Sequence, residues 1–280
     1  MGRRERRLDR RGGLTVPLSL TVLGCSGSYP GPGSACSGYL VRGGGANVVV
    51  DLGPGSLANL QQHLDLAELD AVVLTHAHPD HWTDLCGLHT AWRYALGREG
   101  LQVWGTASGR ELAVAITGGL APTVDWRDLD GSSLLVVGGL CFTFAPTVHY
   151  VETYAVRVDG PAGEVLVYSA DTGPAWNLDG LTSGSAVFAG RAEADRAVDL
   201  LVCEATGLVG DEAPDFLHLS ARQAGVLAAS SGARRLLLTH LWPGNDPEDH
   251  RREAAGAYGG PVEIAVTNQR YDVTRPKRSE

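Results

Sequence analysis

Four metal-binding side chains fall within six residues in the segment LTHAHPDHWTDL: His76, His78, Asp80 and His81. A predicted apolar strand ends at Thr75, directly before them. His76 and His78 lie two residues apart in an extended turn and can point to one side. Pro79 favours a change of direction that carries the other two side chains to a second position. The spacing therefore predicts two adjacent metal positions.

Three more candidate ligands each follow a predicted apolar strand. His149 comes after CFTFAPTV, Asp171 after EVLVYSA and His240 after RRLLLT. Loops at strand ends are where α/β proteins collect their active-site groups. Each of the three could be structural if taken alone. Their shared placement, together with the dense run after Thr75, predicts that they join one site.

The remaining sequence must form the strands and helices that hold these side chains. Early and late strand pairs, each followed by helices, predict two sheets face to face with helices outside. Strands are predicted at residues 16–23, 38–42, 47–51, 70–75, 134–137, 140–145, 153–158, 164–169, 198–203 and 234–239.

Helices are predicted at residues 82–96, from about residue 109, and at about 221–231. The first has a single apolar stripe. The second begins with a capping box of Ser108 and Glu111, and the third with one of Ser220 and Gln223.

Charge is distributed unevenly along the chain. Residues 1–11 hold six arginines against Glu5 and Asp9, and the rest carries 17 basic and 30 acidic side chains, a formal charge near −13. Because nucleic-acid binding requires Lys and Arg to neutralise phosphates, stable nucleic-acid binding is not expected. Residues 1–13 are predicted to be a disordered tail, although a nucleic-acid or membrane tether is an alternative. Residues 14–280 are predicted to form a single domain.

No stretch approaches the roughly 20 consecutive apolar residues of a membrane helix, and the amino terminus lacks the apolar core of a signal peptide. We therefore expect no membrane association and a cytoplasmic location. The sequence leaves the oligomeric state open, with a homodimer among the alternatives.

The HxHxDH run and the later strand-end ligands resemble the metallo-β-lactamase superfamily, from LTVLGCSGS at residue 20 to LLLTHLWP at residue 236. The resemblance implies an α/β fold, the four-layer αββα sandwich. It also implies two divalent metal ions. Zinc (Zn²⁺) is favoured because imidazole and carboxylate suit it, with Mn²⁺ and Fe²⁺ as alternatives. The implied ligands are His76, His78 and His149 for one ion, Asp80, His81 and His240 for the other, and Asp171 bridging both.

Residues 203–240 are similar to the phosphodiesterase branch that includes ribonuclease Z, through Glu204, His218 and the HLSxxQAG stretch. The resemblance implies that His218 faces the scissile phosphate as proton donor and oxyanion stabiliser and that Glu204 orients it. Asp80 could also orient the attacking nucleophile while binding a metal. The structural alternative is that His218 only precedes a capped helix and that Glu204 is a strand-end carboxylate.

The interval between His149 and Asp171 bears on the substrate. Ribonuclease Z inserts a flexible tRNA-gripping arm there, whereas this chain has only 21 residues, which two strands and a turn would fill. Four segments are similar to a subgroup of atypical bacterial cyclic-nucleotide phosphodiesterases: LTVLGCSGS, PGPGSACSGYLV, HLSARQAG and LLLTHLWP. The resemblance therefore favours a small phosphodiester substrate such as cAMP.

Three alternatives remain open: tRNA 3′-processing of the ribonuclease Z type, hydrolysis of a lactone or thioester by the same centre, and a non-catalytic metal-binding scaffold. His218 argues against the second, and the seven ligand positions together with His218 argue against the third.

A few features have two interpretations. The loop at residues 24–38, GCSGSYPGPGSACSG, could bring backbone amides near a phosphate or could simply form turns. Trp242 could wall the pocket or be a core aromatic. His63 and His250 lie in polar surroundings and are predicted to be surface residues.

Overall fold

The computed structural model describes residues 16–182, 197–210 and 217–275. The arginine-rich tail predicted over residues 1–13 lies outside these ranges. Among the described residues, the helices are all too short or too polar to span a bilayer.

The described chain forms two sheets with helices on their outer faces. The strands are β1 (Ser19–Gly24), β2 (Gly38–Gly43), β3 (Ala46–Leu52), β4 (Ala71–Val73), β5 (Leu101–Gly105), β6 (Val124–Asp128), β7 (Leu134–Val137), β8 (Leu140–Pro146), β9 (Tyr154–Asp159), β10 (Val165–Tyr168), β11 (Leu200–Glu204), β12 (Leu236–Thr239), β13 (Val262–Ile264) and β14 (Arg270–Asp272). The helices are α1 (Ser56–Leu60), α2 (Pro79–Trp82), α3 (Leu85–Thr90), α4 (Ala107–Thr117), α5 (Asp179–Thr182), α6 (Ala221–Ser230) and α7 (Pro247–Tyr258).

Both sheets are mixed. The first has the order β14-β1-β2-β3-β4-β5-β6, and the second has the order β13-β12-β11-β10-β9-β8-β7. β3 to β6 run parallel to one another, as do β10 to β13, whereas β3 is antiparallel to β2 and β10 is antiparallel to β9. Parallel strands end on the same edge of a sheet, so the loops that follow β4, β10, β11 and β12 can meet there.

The core has three layers because several strands are apolar on both faces. In β3, Val48 and Val50 face the second sheet, while Val49 and Leu52 pack under the helices of the first half. Val48, Val49 and Val50 alternate with the two-residue period of a strand. A bulge at Asp51, which has φ +55°, then turns Leu52 to the same side as Val49. On the other side of the molecule, β11 and β12 pack against the small residues of α6. The four-layer αββα prediction is confirmed.

Two helix predictions were partly wrong. The segment predicted as one helix over 82–96 is instead split into α2, α3 and a π-helical turn at Ala91–Ala95. The break falls at Asp84, whose carboxylate accepts a hydrogen bond from the backbone N–H of Leu57. The cap of α4 is Thr106, not Ser108, since its hydroxyl accepts from the N–H of Gly109. The capping box at the start of α6 is present as predicted.

Candidate active site

The seven predicted ligands converge where the loops of the two sheets meet. Three groups of side chains have ligand atoms close enough to hold an ion, and two of them together contain all seven predicted ligands. Position A comprises His76, His78 and His149, and position B comprises Asp80, His81 and His240; Asp171 lies between them.

The nitrogens of position A have the spacing of a metal coordination shell. His76 Nε2 lies 3.0 Å from His78 Nδ1, which in turn lies 3.3 Å from His149 Nε2. Ligand atoms about 2.0 to 2.1 Å from a tetrahedral zinc ion lie roughly 3.3 Å from one another. The three imidazoles therefore suit one face of a metal ion.

Position B has the same spacing with a carboxylate in the set. His240 Nε2 lies 3.2 Å from His81 Nε2 and 3.2 Å from Asp80 Oδ2. His81 Nε2 and Asp80 Oδ2 are 3.4 Å apart. The turn predicted at Pro79 is present, because His78 caps α2 and Pro79 is its first residue. That turn carries Asp80 and His81 away from position A.

Asp171 directs one carboxylate oxygen toward each position. Its Oδ2 lies 3.5 Å from His76 Nε2 at position A, and its Oδ1 lies 3.4 Å from His81 Nε2 and 3.5 Å from His240 Nε2 at position B. Oδ1 is buried without a hydrogen-bond partner among the described residues. A buried carboxylate oxygen without a partner is costly. The donor set is therefore suited to metal ions, and Asp171 lies where it could contribute a ligand to either position.

Outer hydrogen bonds fix the orientation of most of these imidazoles. Nδ1 of His81 lies 2.8 Å from Asp51 Oδ2, whereas Nε2 of His78 has no partner among the described residues. Such outer partners set the tautomer of a metal-binding histidine. The remaining Nδ1 contacts are His76 to Thr75 Oγ1 (3.0 Å), His149 to the carbonyl of Leu217 (2.9 Å) and His240 to Thr206 Oγ1 (2.9 Å).

Asp51 and Thr206 were not predicted from the sequence. Asp51 ends the apolar run NVVVD, so the strand-end signal that identified Asp171 was also available for Asp51. Thr206 carries no such signal, because its role depends on the fold bringing it beside His240.

The backbone is strained next to the ligands. His240 itself has φ +58°, and Ala170, directly before Asp171, has φ +52°. Non-glycine residues in this region cost free energy and cluster at functional sites. Gly27 packs against His240 so closely that a Cβ there would lie 2.5 Å from the carbonyl oxygen of His240. The loop at 24–38 is therefore part of the wall of the site.

Burial leaves the imidazoles of position A neutral. It lowers the pKa values of His76, His78 and His149 to about 4, although the carboxylate of Asp171 opposes the shift. Neutral imidazole is the form that binds a metal.

Position B holds more charge. Burial favours neutral His81, but the carboxylates of Asp171, Asp80 and Asp51 outweigh it and raise the pKa of His81 well above its usual value. Burial also opposes ionisation of Asp80, yet His81 and His240 hold the pKa of Asp80 well below its usual range. A divalent cation would replace the His81 proton among these carboxylates.

His218 and Glu204 lie beside the two positions. His218 Nδ1 is 3.1 Å from Glu204 Oε1 and 4.0 Å from Asp171 Oδ2, and its ring stacks 5.3 Å from that of His240. Burial lowers the pKa of His218, but Glu204 and Asp171 raise it more, to about 9. His218 could also complete a ligand set with Asp171 and His240.

Glu204 connects several parts of the site. One of its oxygens accepts from the N–H of Thr172 at 2.7 Å, and the other accepts from the hydroxyl of Thr206 at 2.7 Å. Thr206 in turn contacts His240. Glu204 is thus the last residue of β11 and is held by both neighbouring loops.

Exposed aromatic side chains lie in the loops that carry His149 and His240. The Tyr150 ring lies 4.8 Å from that of His78 and 4.7 Å from that of His149. Trp242 is 49% exposed, so the interpretation of Trp242 as a core aromatic is wrong. Tyr150 was not predicted from the sequence, although it directly follows His149.

Comparison with known proteins agrees with this geometry. Residues 46–241 match the beta-lactamase superfamily domain. The chain belongs to this superfamily. It is 34% identical over 276 residues to an uncharacterized protein of Mycobacterium tuberculosis, covering 94% of this chain and 95% of that protein. The predicted family resemblance and the sandwich fold are confirmed.

Two further proteins that are similar to this chain have names that state a function. "Probable metallo-hydrolase YhfI" of Bacillus subtilis is 31% identical over 258 residues, covering 89% of this chain and 97% of that protein. The crystal structure of YhfI matches with a TM-score of 0.78 over 91% of this chain and 99% of that one, at 28% identity. Ribonuclease Z of Methanopyrus kandleri is 28% identical over 258 residues, covering 85% and 91%. The chain is thus a metallo-hydrolase family member with His and Asp clusters suited to metal ions.

Proposed function

We propose that this chain is a dinuclear metal-dependent phosphodiesterase that hydrolyses a small phosphodiester, a cyclic nucleotide such as cAMP. The observation that carries the proposal is the placement of Asp171, with one carboxylate oxygen toward each ligand set. In this assignment position A and position B would each hold one ion, and Asp171 would be a ligand to both. Zn²⁺ is the proposed ion, with Mn²⁺ and Fe²⁺ as alternatives.

The paired ions would supply Lewis acidity and a water of lowered pKa. The chain itself supplies the orientation. Asp80 accepts a hydrogen bond from the backbone N–H of Ser28 at 2.8 Å, which holds its carboxylate toward His240. Held in this way, Asp80 can accept a hydrogen bond from the attacking nucleophile and orient it.

His218 is the proposed proton donor to the leaving oxygen. Glu204 accepts from Nδ1 and favours the imidazolium, so the second proton, on Nε2, is available to a substrate oxygen. Cations bound beside His218 would oppose its protonation, and Glu204 offsets that effect. General acid catalysis of this kind contributes about 100-fold to 10,000-fold in rate.

A small substrate is supported by the segment between His149 and Asp171. β9, β10 and the turn that joins them account for residues 154–168 of this interval. No room is left there for an arm that could grip a folded RNA. The acidic chain, with a net charge of −9, also disfavours a polyanion.

The ribonuclease Z relatives make tRNA 3′-processing the principal rival, and lactone or thioester hydrolysis is the second. Hydrolysis of bis(p-nitrophenyl) phosphate by the metal-loaded protein tests phosphodiesterase chemistry directly. A parallel screen of cAMP, cGMP, a precursor tRNA and lactones separates the substrates. Absence of phosphodiester hydrolysis with Zn²⁺, Mn²⁺ and Fe²⁺ would reject the proposal, and a metal-loaded but inactive protein would favour a scaffold.

A further inference from the structure

A half-exposed aromatic pair adjoins position B and has no part in the chemistry described above. Tyr29 is 46% exposed and Trp242 is 49% exposed. Their rings meet edge to face at 79°, with centroids 6.4 Å apart. Large aromatic side chains kept at the surface beside a catalytic site are candidates for ligand contact.

The pair is held in place by hydrogen bonds. The indole Nε1–H of Trp242 donates to the hydroxyl of Tyr29 at 3.2 Å, and that hydroxyl donates to the carbonyl of Pro243 at 3.3 Å. The backbone N–H of Trp242 also points to the carbonyl of Thr206, at 3.4 Å. Both rings are therefore fixed in their exposed orientation before any ligand arrives, which reduces the ordering cost of binding.

Each ring also belongs to a residue whose neighbours in sequence contact position B. Tyr29 directly follows Ser28, whose N–H donates to Asp80. Trp242 lies two residues after His240, and Gly27 N–H donates to the carbonyl of Leu241 between them at 3.0 Å. The two rings therefore belong to the same loops that hold Asp80 and His240 at position B.

A cleft of about 540 Å³ opens beside the indole of Trp242. This volume is within the usual range of small-molecule sites. Asn245 adds an amide that can both donate and accept hydrogen bonds. Further lining residues are Pro32, Ser34, Pro243, Ile264 and Thr267.

We propose that the Trp242 indole, positioned by Tyr29, stacks against the nucleobase of a nucleotide substrate in this cleft. The inference rests on the proposed phosphodiesterase function and adds the part of the substrate that is recognised. The phosphodiester lies at the metal positions, and the base lies on the side of position B. Stacking on an aromatic side chain tolerates any base, because every base has a π face.

The test compares two substrates that differ only in the base: cAMP and the same cyclic ribose phosphate with hydrogen in place of the base. Trp242→Ala should raise KM for cAMP by about 5-fold to 150-fold, the range for loss of one stacked base. Its KM and kcat for the base-free substrate should stay within twofold. Trp242→Phe should restore most of the cAMP affinity. Tyr94→Ala is the matched control, since Tyr94 is an exposed aromatic, 72% accessible, on the π-helical turn after α3.

An equal loss on both substrates would show that Trp242 only supports position B, and an unchanged KM for cAMP would show that the base lies elsewhere; either result overturns the inference. If the wild type hydrolyses neither compound, the proposed function fails, and binding decides the inference separately. Titration with adenosine 5′-monophosphate should then quench tryptophan fluorescence in the wild type and bind Trp242→Ala at least about fivefold more weakly. Equal affinities would overturn it.

Discussion

The two halves of the ligand set are built in different ways. The first sheet provides four side chains from one short segment, His76 to His81, after β4. The second sheet provides His149, Asp171 and His240 from three loops, after β8, β10 and β12. The first group is arranged by a single turn at Pro79, whereas the second exists only once β8 to β12 have paired. Asp171 of the second group reaches both positions, whereas each side chain of the first group belongs to one of them.

The largest effect should come from Asp171, which faces both positions. Asp171→Ala removes the carboxylate shared between them and leaves the cations without its charge. We expect metal content to fall at both positions and phosphodiesterase activity to fall by more than about 1,000-fold, since several kcal/mol of charge stabilisation depend on the ions. Metal analysis after reconstitution, with circular dichroism to verify folding, measures this.

His149→Ala is the comparison for that variant. It should leave about one ion per chain, because position B keeps its own ligands. If both variants lose the same number of ions, Asp171 does not bridge the two positions.

His218→Ala should have the next largest effect. The variant is expected to keep both metals and to lose roughly 100-fold or more in kcat, because it lacks the proton donor but no proposed ligand. Glu204→Gln should lose less, since His218 remains present but is held less firmly as the imidazolium. Loss of metal from His218→Ala would instead assign His218 to the ligand set with Asp171 and His240.

Asp51→Asn should have a smaller and more local effect. Asp51 Oδ2 lies 2.8 Å from His81 Nδ1 and 3.1 Å from the Tyr168 hydroxyl that donates to it. Replacing this acceptor with an amide should weaken the metal at position B by about 10-fold to 100-fold. Competition with a chelator, monitored for each ion, checks this. Equal weakening of both ions by Asp51→Asn would contradict the separation of the two positions.

Much of the fold followed from the sequence because its strands are strongly apolar. Every strand that was predicted is present, with ends that shift by up to a few residues. The strands that were missed are β5, β6, β13 and β14. β6 is an edge strand with the polar sequence VDWRD, and β13 and β14 have only three residues each.

The helix α7 was also missed, and His250 on it was wrongly predicted to be a surface residue. The sequence PEDHRREAAGAY is polar almost throughout, so it gives little amphipathic signal. Its buried face consists of His250 and Ala254, which pack toward the small residues of α6. Burial of His250 depends on that helix pair and could not be read from its polar neighbours.

The candidate ligands were predictable because histidine and aspartate at strand ends are uncommon without a function. Side chains that act through the fold were not predictable in the same way. Thr206 contacts both Glu204 and His240, and the Tyr29 and Trp242 rings meet across 213 residues of sequence. Threonine and aromatic residues occur at many other positions of this chain, so their residue type gives no signal. Only their placement in the fold shows which of them belong to the site.

The most direct test of the central claim measures kcat/KM for cAMP and for a precursor tRNA on the same metal-loaded protein. It should be run on the full chain and on a chain lacking residues 1–13, because six arginines there could attract RNA nonspecifically. A small-phosphodiester enzyme should hydrolyse cAMP far more efficiently than it cleaves the tRNA precursor, in both forms. Efficient tRNA cleavage by the truncated protein, with little turnover of cAMP, would contradict the account.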